Sequence, residues 1–197
     1  MAEPPRVYSP INSGQLRQCE VVSGLVEPRA RPEGLDSNDG LITDLKAHPL
    51  AIIMTQDCEL EGDHRARNAD PVDLKKQIGT VVLCEVYPEE EVRAAAREIG
   101  LNTREWKRVR QNREERFHYL QPVSKEEDAV GEGLTALGVD FKHIFALSPE
   151  LLYYQIDQSA RRRFKLESPY LEHLVVRFFA YQSRIALPVP HAFNGGE

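Results

Sequence analysis

Hydrophobic positions along the chain fall into short runs of two different periods, and these runs predict the elements. "QLRQCEVVSGLVEP" alternates over residues 15–28 as a half-buried strand does, and the turn-rich "RARPEGLDSNDG" then predicts a loop and a hairpin-like return. "LAIIMT", short and β-branched between Pro49 and a polar run, reads as a central strand, with "EGDHRARNADP" as a long charged loop after it. "GTVVLCEVY" predicts a further strand that Pro88 ends. Pro88 also suits the first turn of a helix, since "PEEEVRAAAREIG" places acidic residues at its start and Gly100 just past its end. "NTREWKRVRQNREERF" predicts a second helix capped by Asn102 or Thr103.

The period returns to two at "FHYLQPV", a short strand followed by the loop "SKEEDAVGEG". "LTALGVDFKHIFALSPELL" predicts a strand, a bulge at Gly138 and a second strand through Val139, Phe141 and Ile144. A polar connection with Arg161, Arg162 and Arg163 leads to the last element. From Ser168 as cap and Pro169 in the first turn, Leu171, Leu174, Val175, Phe178 and Ile185 keep helical spacing until Pro188 and Pro190 stop it. Residues 1–14, with three prolines, read as a flexible arm, and 191–197 as a flexible tail. No internal repeat is seen. The expectation is mainly β with α (α+β): a small, partly open β-barrel over 15–190, with a helical insertion at about 88–117 and a C-terminal helix.

Composition narrows the function. A chain of 197 residues that is 41% hydrophobic can bury one real core. Its formal charge of -6 argues against a general polyanion binder, so any nucleic-acid site has to be local. No basic segment leads into an apolar one at the N-terminus, and no window approaches the roughly 20 apolar residues of a membrane span. A soluble cytoplasmic protein with no membrane association is expected. Cys19, Cys58 and Cys84 are odd in number and lack CxxC spacing, which suggests reduced thiols, with no metal and no cofactor.

The candidate chemistry begins in "PLAIIMTQDCEL", where an apolar strand runs into Thr55, Gln56, Asp57, Cys58 and Glu59. If the strand continued, Asp57 and Glu59 would share one face and could divide into proton donor and acceptor or ligate a hard cation. The plainer alternative is that Thr55 and Asp57 satisfy backbone groups at a turn. A nucleophilic Cys58 would need one of His48, His64, His118 or His143 beside it, and its flanking carboxylates oppose thiolate formation. The second signal is the helical pair, where Arg93, Arg97, Arg104, Lys107, Arg108, Arg110, Arg113 and Arg116 outnumber the acids. Arg104, Lys107 and Arg108 could hold phosphates with Trp106 stacking on a base; alternatively, Glu/Arg pairs solvate the helix and Trp106 anchors it. Arg161 to Arg163 could extend a backbone-binding rim or belong to a polar loop. Tyr170, Phe178, Phe179 and Tyr181 spread over more than one face of the last helix, which suits a homodimer or protein-partner surface.

"HPLAIIMTQDCEL", "GTVVLCEVY" and "VDFKHIFALSPELL" together resemble the core strands of PemK/MazF-like toxins. "MTQDCEL" is also similar to a Ser/Thr-Gln-x-Cys-Asp/Glu strand-end signature of prokaryotic proteins. The toxin resemblance implies an SH3-like barrel, commonly dimeric, that cleaves single-stranded RNA without a metal. His48 stands at the place of the family's catalytic arginine, and Cys84 or Glu85 at that of its threonine. It therefore implies His48, Thr55 and Asp57 as catalytic residues, with RNA or single-stranded nucleic acid as partner in a toxin–antitoxin or phage-defence setting. The alternative is a non-catalytic protein-interaction module of a larger prokaryotic assembly.

Overall fold

A computed structural model describes residues 6–11, 14–32, 42–100 and 102–183. Seven strands, β1 (Tyr8–Ser9), β2 (Glu20–Ala30), β3 (Thr43–Ile53), β4 (Val81–Pro88), β5 (Phe117–Leu120), β6 (Leu137–Leu147) and β7 (Arg161–Leu166), form one sheet in the order β1-β7-β2-β3-β4-β6-β5. Every pairing is antiparallel. Five α-helices accompany them: α1 (Asp57–Arg67), α2 (Glu89–Glu98), α3 (Thr103–Arg110), α4 (Pro149–Gln158) and α5 (Tyr170–Gln182). The protein is thus mixed α+β, as expected.

The sheet does not close into a barrel. Among the described residues β1 pairs only with β7 and β5 only with β6, so the two edges stay apart. Helices cover both faces instead. Leu174 and Phe178 of α5 pack with Ile52, Cys84, Phe141 and Phe164 on one side. Leu60 of α1 and Leu152 of α4 pack with Ala51, Ile53, Leu83 and Phe145 on the other. A strand buried on both faces carries a continuous apolar run, and this is why "AIIM" lacks alternation. A third cluster joins Val92 and Ala96 of α2, Trp106 and Val109 of α3 and Phe117 of β5.

Two phase changes shape the sheet. Val22 and Leu25, three apart, share one cluster, which an uninterrupted pleat forbids; Gly24 between them has φ +77°, a conformation a side chain would strain. In the β4–β6 ladder, Cys84 pairs with Ile144 but Val86 pairs with Val139, so two steps of β4 oppose five of β6. Phe141 therefore faces α5 while Phe145, at the same parity, faces α1 and α4. The irregularity expected at Gly138 lies at 140–143 instead. Gly138 is there for closeness, since a Cβ on it would stand 2.6 Å from Val92 Cγ2 of α2.

Several expected boundaries move. Tyr8–Ser9, read as part of the arm, is a strand whose Tyr8 is buried and donates to Gln121 O at 2.9 Å. The charged segment after "LAIIMT" is helix α1. Its buried residues are Leu60, Asp63 and Ala66, and Asp63 accepts from Arg67 Nε at 2.7 Å and Ile78 N at 3.0 Å, so the inner stripe reads as polar. The polar connection around Arg161–Arg163 is α4 followed by β7. Arg162 is bound by Glu20 (Nη2 to Oε2, 2.7 Å), and Arg163 makes a two-pronged pair with Asp128 at 2.9 and 2.7 Å. Those arginines are structural. α3 ends at Arg110, short of the expected length, where Asn112 takes a positive φ. Ile185, Pro188, Pro190 and the tail at 191–197 lie outside the described residues.

Candidate functional site

The polar end of β3 is a strand-to-helix turn. Extended geometry stops at Gln56, which caps α1, so Asp57 and Glu59 sit in the first turn of a helix and not on one face of a strand. Thr55 Oγ1 accepts from Val82 N at 2.8 Å, tying the turn to β4. Asp57 is held by both prongs of Arg17 (Nε at 2.9 Å) and accepts from Gln18 N at 3.1 Å. Gln18 Nε2 in turn donates to Met54 O at 3.1 Å. Both residues thus satisfy turn and backbone groups. Cys58 is exposed, with Gln56 Oε1 its nearest partner at 3.7 Å. The other two thiols are core groups, and burial pushes Cys19 up to about 12.

His48 is elsewhere. It lies five residues before the end of β3, about 17 Å along an extended strand from Ile53. It is buried on the α1/α4 side, stacked on Phe145 at 3.6 Å with the planes 5° apart. Its Nε2 is 3.2 Å from Glu27 Oε2, and its Nδ1 is 2.9 Å from Glu85 Oε1 but off the axis of a hydrogen bond. His48 is therefore not brought together with Thr55 and Asp57.

It belongs to a polar network at the β4–β6 irregularity. Glu85 accepts from Lys46 Nζ and Tyr87 OH, and lies 3.5 Å from His143 Nδ1. His143 Nδ1 is also 3.1 Å from Tyr87 OH and 3.2 Å from Asp140 Oδ2. Asp140 completes the chain by accepting both prongs of Arg116 at 2.8 and 2.6 Å, together with Lys142 N at 3.0 Å. Burial alone would raise the Glu85 carboxyl, but Lys46, Tyr87 and His48 outweigh it and hold it below the ordinary range. Burial and then Glu85 push Tyr87 upward, so its hydroxyl stays protonated. Each carboxylate here is engaged by cations or hydroxyls, which makes the network a structural hinge of the bulge. Among the described residues no group of three or more His, Cys, Asp or Glu could hold a metal.

The basic helical face is different. Asn102 and Glu105 form a capping box, with Asn102 Oδ1 accepting from Arg104 N at 2.9 Å and Glu105 Oε2 from Asn102 N at 2.8 Å. Trp106 and Val109 point into the core, so Arg104, Lys107, Arg108 and Arg110 are turned outward. Trp106 is 8% exposed and works as the anchor of α3, too covered to offer a face to a base. Between Arg93 and Arg113 there are seven basic residues against Glu98 and Glu105, a local excess within a chain of charge -6. Arg93, Arg97, Arg104, Lys107, Arg108 and Arg113 are all exposed, and no carboxylate lies within ion-pair distance of any of them among the described residues.

Residues that the sequence reading passed over include Tyr87 and Asp140, while Arg116, read there as part of the basic helical pair, is bound to Asp140; the Tyr87–His143 and Arg116–Asp140 contacts join residues far apart in the chain and leave no local signal in it. Comparison of the chain with protein-family models, curated proteins and solved structures finds no match.

Proposed function

We propose that the protein binds single-stranded nucleic acid, RNA included, through the outward face of α3 and the neighbouring turn of α2. The observation that carries this reading is the set of six exposed cations without carboxylate partners, in a protein that pairs most of its other described arginines. Unpaired cations spaced along a helix neutralise successive phosphates and release their counterions. Arg104, Lys107 and Arg108 are the main contacts. Binding to a labelled single-stranded oligonucleotide should weaken steeply between 50 and 200 mM salt, with a log–log slope of about -2 to -4 for three to five phosphate contacts. The triple variant Arg104→Glu, Lys107→Glu, Arg108→Glu should flatten that slope by about 2. A salt-insensitive interaction, or an unchanged slope in the variant, rejects the reading.

The RNA-cleavage part of the PemK/MazF-like expectation has less support. A catalytic base needs an open path to the substrate, and His48 is buried with its ring nitrogens facing the carboxylates of Glu27 and Glu85. Binding without cleavage is the form of the proposal preferred here, and incubation with RNA followed by gel analysis separates the two.

A protein-interaction module is the second reading, and it rests on α5. Val176 is 66% and Phe179 46% exposed, and Phe179 lines a shallow cavity of about 320 Å³ with Met54, Glu59 and Ile78. It predicts no salt-sensitive oligonucleotide binding and a self-association, seen by sedimentation, that Phe179→Glu abolishes.

A further inference from the structure

A second cavity, of about 270 Å³, opens where the C-terminal end of α3 meets β5, β1 and the start of α5. Tyr119, Tyr170 and His173 line it with flat aromatic surface, and Val7 and Leu166 add apolar contact. Arg110, the last residue of α3, stands at the same cavity with its guanidinium 5.8 Å over the Tyr119 ring. Tyr119 is fixed from behind, its hydroxyl 3.3 Å from Glu89 Oε2.

The floor carries the polar group that makes this more than an apolar dent. His118 is 3% exposed, and its Nδ1 lies 2.9 Å from Arg177 Nη1. A guanidinium only donates, so Nδ1 must accept and the ring proton sits on Nε2. Arg177 is itself locked in place, donating to Asn112 Oδ1 at 3.2 Å and Phe117 O at 3.1 Å. Burial, reinforced by Arg177 and His173, holds His118 well below its ordinary pKa, which keeps the imidazole neutral. Its Nε2 has no protein acceptor among the described residues, and His118 lines the cavity. His173 stands beside it with ring centroids 5.3 Å apart.

Flat walls, one buried neutral donor and a cation at the mouth match a particular ligand chemistry. A nucleobase has π-faces for the walls and ring nitrogens or carbonyls for the donor, and its phosphate would meet Arg110. The volume falls just below the roughly 300–1,000 Å³ of sites for drug-sized ligands, which suits a single base. We propose that this cavity receives one unstacked nucleobase of a strand whose backbone runs along α3, with His118 Nε2 donating to the base and Tyr119, Tyr170 and His173 framing it. The inference rests on the nucleic-acid reading above and adds to it a base-binding subsite.

The test compares a ten-nucleotide single-stranded oligoadenylate with a ten-unit abasic backbone of equal charge, by fluorescence anisotropy on the full chain. The wild type should bind the oligoadenylate about tenfold more tightly. His173→Ala, an exposed change that leaves the core alone, and His118→Phe, which keeps an aromatic ring but removes the donor, should each shrink that ratio to about two or less while the salt slope persists. Salt-sensitive binding with equal affinity for both strands in the wild type overturns the cavity and leaves the phosphate-binding face standing. Absence of any salt-sensitive binding overturns both.

Discussion

The β4–β6 irregularity and the outer face of α3 both concentrate charge, and they treat it in opposite ways. Around Glu85 and Asp140, side chains 9% and 2% exposed sit among Lys46, Tyr87, His143 and Arg116, each within reach of an opposite or complementary group. On α3, Arg104, Lys107 and Arg108 are exposed, and no carboxylate among the described residues pairs with them. A buried charge has to be matched by the protein itself, because desolvation costs several kcal/mol per ion. An exposed one is under no such demand and remains available to a ligand. Charge that belongs to the fold can therefore be told from charge that is open to a partner by its burial and pairing.

The comparison breaks first at Asp140. Asp140→Ala leaves Arg116, 15% exposed, without its two-pronged partner, and should lower unfolding free energy by about 3 kcal/mol in urea titration. A loss below about 1 kcal/mol would mean that water already supports Arg116 and that the network is no more structural than α3. Gly138→Ala tests the same junction sterically. The new Cβ would meet Val92 Cγ2 at 2.6 Å, forcing α2 off β6, and should cost about 2 kcal/mol. Oligonucleotide affinity measured on the folded fraction of Asp140→Ala should stay within about twofold, since Asp140 touches none of the exposed cations of α2 and α3.

Acid response sharpens the contrast between buried and exposed titrating groups. Burial, with neighbouring Arg177, depresses both His118 and His173 below the ordinary 6.5. The unfolded chain then binds more protons than the folded one, so their stabilising effect is complete above pH 6.5 and is lost as pH falls below it. Glu85 is also depressed, and its part is lost only below its ordinary 4.5. Urea midpoints should therefore fall from pH 7 to pH 5, and His118→Phe should flatten that limb while leaving the steeper loss below pH 4.5. A midpoint that is level between pH 7 and 5 would contradict the buried, neutral His118.

How much of this was legible in the sequence follows from whether the signal was local. α2 was, because its acidic first turn, Pro88 and Gly100 are all within or next to the helix. β3 was legible as a strand from "LAIIMT", although its first half, through Lys46 and His48, was not, since those polar side chains find their partners Glu85 and Glu27 on other strands. α1 and β7 were missed for the same reason. Asp63, Arg162 and Arg163 look like surface charge until Ile78 N, Glu20 and Asp128 are brought to them across the fold. The expected site split along this line too. Thr55 and Asp57 stayed adjacent because they are neighbours in the chain, while His48 was carried to a different cluster by the register of β2, β3 and β4. Trp106 was ambiguous because a helix of eight residues offers the same spacing for an anchor as for a stacking ring, and only the contact with Val92, Val109 and Phe117 decides it.

The smallest predicted effect carries the opposite sign. Arg104 occupies the second position of α3, where the positive end of the helix dipole disfavours a cation, and it stands four residues before Arg108, a like-charge neighbour on the same face. Nothing in the pairing of the fold offsets either conflict. Arg104→Glu would place an anion at the favourable end and create an i,i+4 pair with Arg108 in the better orientation. Stability should rise by about 0.5 kcal/mol, read as a higher urea midpoint at unchanged slope. The same substitution should weaken oligonucleotide binding about three- to tenfold at 100 mM salt. A residue whose removal helps the helix and harms binding is one retained against stability, as expected of a surface kept for a ligand. If Arg104→Glu destabilised α3 instead, the cation would belong to the fold after all, and the distinction between the two charged regions would be lost at its clearest residue.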